Sequence, residues 1–170
     1  MKAYLIKTNT NTKKLSSVLF PRVFYLETGE KIQYEDLRRN QNGKPQAENG
    51  IYFNISHTGK YWCIVFSDSE CGIDIELDRP LRAHMSRKIL FEGEKLVDDN
   101  LLRNWVIKEA YAKMVGVGIS ISFSTIDLEN VVEEYEVSDL STEEYICYAV
   151  GTTPVTDIVK MDWDGTNLIS

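Results

Sequence analysis

Histidine, cysteine and proline are scarce in this chain of 170 residues, at two, three and four respectively. The cysteines, Cys63, Cys71 and Cys147, are odd in number and form no Cys-x-x-Cys pair. That argues against a disulfide framework, and adding His57 and His84 does not give a zinc-ligand spacing. Three thiols in or beside strand-like stretches instead suit buried, reduced side chains in a cytoplasmic protein. Long apolar runs are missing too. None approaches the length of a membrane span, and Met1-Lys-Ala-Tyr-Leu-Ile-Lys7 holds only a brief apolar stretch, unlike the core of a signal peptide. Bases are outnumbered by acids, 19 to 26, for a net charge of −7. This excludes the general nucleic-acid affinity of a basic domain. An anionic ligand must be held by locally placed lysines, arginines and backbone amides.

What is present fits a globular protein, with 43% hydrophobic and 26% charged residues. The length suits one domain or two small lobes sharing a core. Residues 3–7, 51–56, 61–66 and 71–77 read as strands, rich in aromatic and β-branched residues, and Thr58-Gly59 marks a break between two of them. A mixed, helix-like pattern covers 30–40, and 40–45 is a turn by composition. Leu81, Met85, Ile89, Leu90 and Leu96 recur at helical spacing with Gly93 as an interruption. Asn100 is a suitable N-cap for a helix that Gly116 would end. Further strands are expected at 119–128, 131–137, 145–150 and 155–162. Strands and helices intermix without repeat or linker, which favours an α+β fold over a doubly wound parallel sheet.

Two stretches carry chemistry. In Gly72-Ile-Asp-Ile-Glu76, a strand would turn Asp74 and Glu76 to one face and Ile73, Ile75 and Leu77 to the core. In Trp105-Val-Ile-Lys-Glu-Ala-Tyr-Ala-Lys113, a helix would set Glu109 and Lys113 one turn apart on a shared face. Taken singly, each is also what a solvent-facing strand or a surface ion pair looks like. Jointly they offer carboxylate oxygens for a hard divalent cation, with an ammonium beside it, which is equipment for a phosphate ester. Asn54-Ile-Ser-His-Thr-Gly59 adds Ser56 and His57 ahead of a glycine turn, where an anion can be received. His84, with no acidic or cysteine neighbour, is expected to be structural. Gly43-Lys-Pro45 is not a P-loop, and Gly116-Val-Gly118 lacks the third glycine of a dinucleotide fingerprint.

In this order, Gly43-Lys44-Pro45, Phe53-Asn-Ile-Ser-His-Thr-Gly59, Gly72-Ile-Asp-Ile-Glu76, Trp105-x-x-Lys-Glu-Ala-Tyr-x-Lys113 and Gly116-x-Gly118 resemble the 4′-phosphopantetheinyl transferases of the surfactin-synthetase type. The resemblance covers residues 43–120. It implies a pseudo-twofold α+β fold, with residues 1–68 as one lobe, 69–170 as the other and coenzyme A in the cleft between them. It also implies Mg²⁺ on Asp74, Glu76 and Glu109, with Glu109 as base and Lys113 steadying the pyrophosphate with help from Lys108. Ser56, His57 and Lys44 would meet the nucleotide end. The implied reaction moves the phosphopantetheine arm to a serine of an acyl or peptidyl carrier protein and releases 3′,5′-adenosine diphosphate. The implied form is a monomer, without nucleic-acid or membrane partners. The stretch before Gly43 is shorter than in such enzymes, with Arg38 and Arg39 as its nearby bases. That leaves open a relative that binds coenzyme A or a carrier without transfer. An unrelated Mg²⁺-dependent phosphohydrolase explains the carboxylates but not Lys44 and His57. The acidic carrier is expected to dock on Met85-Ser-Arg-Lys-Ile-Leu-Phe91, where Arg87 and Lys88 stand beside apolar side chains.

Overall fold

The computed structural model describes residues 1–47, 50–117 and 121–170, apart from the side chain of Lys13. Its first half runs β1 (Lys2–Thr8), α1 (Ser16–Thr28), the short pair β2 (Arg38–Arg39) and β3 (Pro45–Gln46), then β4 (Tyr52–Thr58) and β5 (Tyr61–Ser67). Its second half runs β6 (Cys71–Leu77), α2 (Ser86–Ile89), α3 (Leu101–Val115), α4 (Leu128–Glu134), β7 (Glu136–Asp139) and β8 (Tyr145–Gly151). The chain closes with β9 (Asp157–Trp163) and β10 (Leu168–Ile169).

The two halves repeat one topology. In each, a strand leads through a helix to a hairpin, and the hairpin's second strand inserts beside the first, giving the orders β1-β5-β4 and β6-β8-β7. Strand β9 adds to β1 in parallel, so a segment beyond residue 69 completes the first sheet.

Period-two alternation builds the layers. Tyr4, Ile6, Trp62, Ile64 and Phe66 pack under α1, whose Leu19, Phe20, Val23 and Phe24 form one helical stripe. Ala3, Leu5, Cys63 and Val65 face the other way, meeting Ile73, Ile75, Cys147 and Ala149 between the sheets. Ile146, Tyr148 and Val150 then cover α3 through Val106, Ala110 and Met114. The stack is helix, sheet, sheet, helix, an α+β architecture.

Several expectations change. The helix-like pattern at 30–40 yields a 3-10 turn, Tyr34–Asp36, and the two-residue β2. The helical spacing of 81–97 condenses to short turns around α2, because no continuous stripe survives past Ile89. Of the strand expected at 119–128, residues 119 and 120 lie outside the described residues, and the remainder holds the 3-10 turn Phe123–Thr125. That at 131–137 begins inside α4, which Asp127 caps by accepting from the Glu129 amide at 3.0 Å. His84 lies exposed in the 3-10 turn Ala83–Met85.

A candidate acid and lysine site at the seam of the two halves

Strand β4 is the edge of the first sheet and runs beside β6, the edge of the second. Alternate side chains of β4 bridge the gap. Asn54 Oδ1 accepts from the Ile73 amide at 3.0 Å, Ser56 Oγ donates to Asp74 Oδ1 at 2.7 Å, and Thr58 Oγ1 donates to Glu76 Oε2 at 3.4 Å. With Ile73 and Ile75 taken by the core, Gly72, Asp74 and Glu76 turn toward α3, while Leu77 at the strand end stays exposed. Gly72 fixes the approach. A Cβ there would lie 1.9 Å from the Ala110 carbonyl oxygen and 2.6 Å from the Met114 amide nitrogen.

That close packing delivers the polar face of α3 to Asp74. The helix starts where Asn100 Oδ1 accepts from the Leu102 amide at 2.9 Å and ends at Gly116, whose φ of 70° is left-handed. Lys113 Nζ donates to Asp74 Oδ1 at 2.5 Å, Ser56 Oγ at 2.9 Å and the Ile73 carbonyl at 3.3 Å. These three acceptors use its three donors. Asp74 Oδ2 is buried and has no hydrogen-bond partner among the described residues.

The acids act on one another. Burial, then the charge of Asp74, pushes Glu109 up to about 7 against the pull of Lys113. Burial and Asp74 also raise Glu76, against Arg79 and Thr58. Burial opposes the charge on Lys113, yet Asp74 and Glu109 raise it above an ordinary lysine. Shared carboxylate oxygens, one of them buried and unpartnered, are the donor chemistry of a hard divalent cation. They are not gathered as a cage: among the described residues no three acid, histidine or cysteine side chains converge closely enough to hold a metal. Lys113 and Ser56 hold Asp74, while Thr58 and Arg79 hold Glu76.

The other residues singled out in the sequence lie elsewhere. Ser56 and His57 fall on opposite faces of β4, paired with Cys63 and Trp62, so they do not converge on one anion. His57 is exposed, whereas Ser56 belongs to the Asp74 cluster. Lys44 donates to Glu70 at 2.6 Å and to the Met114 carbonyl at 3.0 Å, tying its loop to the end of α3. Beside it a cavity of about 320 Å³ is lined by Arg38, Lys44, Tyr52, Phe53 and Glu70.

Lys108 is fully buried on another face of α3, 2.8 Å from Glu94 and donating to the Ile89 and Phe123 carbonyls. Burial lowers its pKa and Glu94 opposes this. It is therefore not among the groups around Asp74. Sequence spacing missed Glu94, Asn54 and Thr58, because their roles depend on tertiary neighbours. In the expected docking stretch Ile89 is buried, while Arg87, Lys88 and Phe91 are exposed. Gly118 lies outside the described residues. The three cysteines are buried and free, and no described helix is long and apolar enough to cross a membrane.

Comparison with known proteins gives this geometry a setting. The chain is 30% identical over 97 residues to the 4′-phosphopantetheinyl transferase gsp of Aneurinibacillus migulanus, covering 52% of this chain and 41% of the relative. It is 26% identical over 97 residues to the transferase Sfp of Bacillus subtilis (strain 168), covering 51% and 43%. With the transferase HetI of Nostoc sp. (strain PCC 7120 / SAG 25.82 / UTEX 2576) it shares 32% identity over 108 residues, covering 56% and 46%. In each case the matched stretch is less than half of the relative's length. The family model of the 4′-phosphopantetheinyl transferase superfamily matches residues 70–159, the stretch that supplies both β6 and α3 to the seam. With more than half of its length matched, the chain belongs to that superfamily.

Proposed function

We propose that this chain transfers the 4′-phosphopantetheine arm of coenzyme A to a serine hydroxyl of an acyl or peptidyl carrier protein, with Mg²⁺, releasing 3′,5′-adenosine diphosphate. The observation that carries the proposal is the cluster of Asp74, Glu76, Glu109 and Lys113 at the junction of two repeated halves, inside the stretch shared with the transferases. Asp74, Glu76 and Glu109 supply the carboxylate oxygens for Mg²⁺ and would have to draw closer than they stand here to hold it; when bound it neutralises charge on the diphosphate.

Each side chain then has a task. Glu109 would accept the proton of the serine hydroxyl. Lys113 offers its ammonium to the diphosphate, and Ser56 steadies Asp74. Lys44, Ser56 and His57 would meet the nucleotide end, with Arg38 and Arg39 as nearby bases. Exposed Arg87 and Lys88 suit an acidic carrier, and a reducing, cytoplasmic setting suits the buried thiols. The enzyme works as a single chain, its two halves replacing a dimer.

The test is incubation of the purified protein with coenzyme A, Mg²⁺ and a panel of apo carrier proteins, read by intact mass. Gain of the arm's mass on a carrier is expected; no gain across the panel overturns the proposal. Internal engagement of Lys44 and Asp74 favours a second reading, binding without transfer. Calorimetry showing coenzyme A bound, with zero turnover on every carrier, would select it.

A further inference from the structure

The first sheet has five strands and the second three, so part of the first sheet's inner face extends past its cover. On that face Ala3, Leu5, Tyr61 and Cys63 are buried between the sheets. Ile158, Lys160 and Asp162 continue it on β9 and are exposed. Strand register sets Tyr61, Lys7, Asp162 and Ile169 side by side across β5, β1, β9 and β10. Leu5 and Lys160 pair in the next row that faces the same way. Residues 142–145, at the turn between β7 and β8, wall this floor to give a cavity of about 440 Å³, within the range of small-molecule sites. No residue of the Asp74 cluster lines it.

The polar groups of this cavity divide into used and unused. Glu144 is used: Lys7 and Lys60 lie 3.3 and 3.4 Å from its carboxylate. Tyr61 beside it, then those lysines, hold that carboxyl down at about 2. The buried Tyr61 hydroxyl nonetheless lacks a partner in hydrogen-bond geometry among the described residues. Such a hydroxyl carries a cost that a ligand would remove. Lys160, Asp162 and Glu143 line the same cavity, and their side chains make no hydrogen bond or ion pair among the described residues. One free ammonium thus stands beside two free carboxylates, over Leu5, Ile169 and the paired rings of Tyr61 and Tyr145. A plain anion on Lys160 meets Asp162 as a like charge, and a plain cation on Asp162 meets Lys160. A molecule bearing both charges satisfies both.

We propose that this cleft binds a small zwitterion with an apolar side group, the chemistry of an apolar amino acid. Lys160 takes its carboxylate and Asp162 its ammonium, with Glu143 adding to the attraction. The Tyr61 hydroxyl supplies a further hydrogen bond, and the side group lies on Leu5, Ile169 and Tyr145. Charges this exposed give a weak site, with a Kd on the order of 1 mM. The proposal does not rest on the transferase reading: a failed carrier assay leaves it standing, and its own failure leaves that reading untouched.

The probes are L-phenylalanine and the smaller L-leucine, titrated into the full chain and followed by amide chemical shifts. At least one should give saturable shifts centred on Tyr61, Tyr145 and Lys160. Two analogues of phenylalanine each lack one charge: 3-phenylpropionate has no ammonium and phenethylamine no carboxylate. Each should bind at least about fivefold more weakly than phenylalanine. Lys160→Gln and Asp162→Asn, at exposed positions that do not threaten the fold, should each weaken the amino acid by a similar factor. Tyr61→Phe should weaken it about threefold. No saturable shift with either amino acid up to about 20-fold above the expected Kd overturns the proposal. So do shifts centred elsewhere, an analogue that binds as tightly as phenylalanine, or affinity indifferent to both charge variants.

Discussion

Lys113 Nζ lies 2.5 Å from the same Asp74 oxygen that Ser56 Oγ approaches at 2.7 Å, so helix α3 and strands β4 and β6 meet at a single carboxylate atom. Any change at this atom is felt by both halves of the molecule.

Glu109→Gln keeps the shape of the side chain but removes both a base and an anion. Carrier modification is expected to fall about 100-fold or more, the usual worth of a positioned proton acceptor. Asp74→Asn should be comparably damaging. Initial rates by intact mass, with circular dichroism to verify folding, check both. Retained activity in either variant removes that residue from the mechanism.

Stability should depend on pH through Glu109. Its pKa is raised in the folded state from 4.5 to about 7, so the fold binds this proton more tightly than the unfolded chain does. The contribution is full below about 4.5 and is lost as pH rises through about 7. Glu76, also raised, acts in the same sense. In chelator, the melting temperature should fall between pH 5 and 8, as a rough window. Glu109→Gln should flatten that slope; an unchanged slope would exclude Glu109 as its source.

Lys108 and Glu94 form a buried pair, so removing one partner strands the other. Lys108→Met should cost about 3–5 kcal/mol in urea unfolding. Adding Glu94→Leu should recover part of the loss by removing the stranded charge, and not all of it, because the Ile89 and Phe123 carbonyls and the Leu128 amide also lose their partners. A double variant no better than the single one would show that the charges themselves are needed.

Gly72→Ala places a methyl against the Ala110 carbonyl, where backbone and not a flexible side chain must yield. Overpacking of this kind costs about 1–3 kcal/mol or more. Since α3 shifts relative to β6, transfer should decline further than the lower melting temperature alone explains. A variant with parental rate and melting temperature would contradict the close packing.

Charge reversal at exposed Arg87 and Lys88 should raise KM for an acidic carrier at least several-fold, most strongly at low salt. Calorimetry with coenzyme A should show unchanged affinity. Equal carrier kinetics would move the docking surface elsewhere.

The sequence made the central hairpin, β6 and α3 readable because alternation, caps and glycines signal them locally. Asp74 and Lys113 were likewise readable together, one by strand alternation and the other by helical spacing. Helix α1 was not, because Pro21 inside it looks like a breaker although its apolar stripe is well packed. The β-branched run in α4 resembles a strand, and Val131 packs as a helix residue only through tertiary contact. The placement of β9 beside β1, and the pairing of Lys108 with Glu94, join residues that no local pattern links.

Strands β4 and β6 keep separate backbone ladders and touch through Asn54, Ser56 and Thr58. A continuous ladder would have welded the halves into one rigid sheet. Three side-chain bonds, each worth about 1 kcal/mol, stand in for that ladder above the apolar layer that Ile73 and Ile75 share with the first sheet. Because two of them end on Asp74 and Glu76, the spacing of the acids is set by the same contacts that join the two halves.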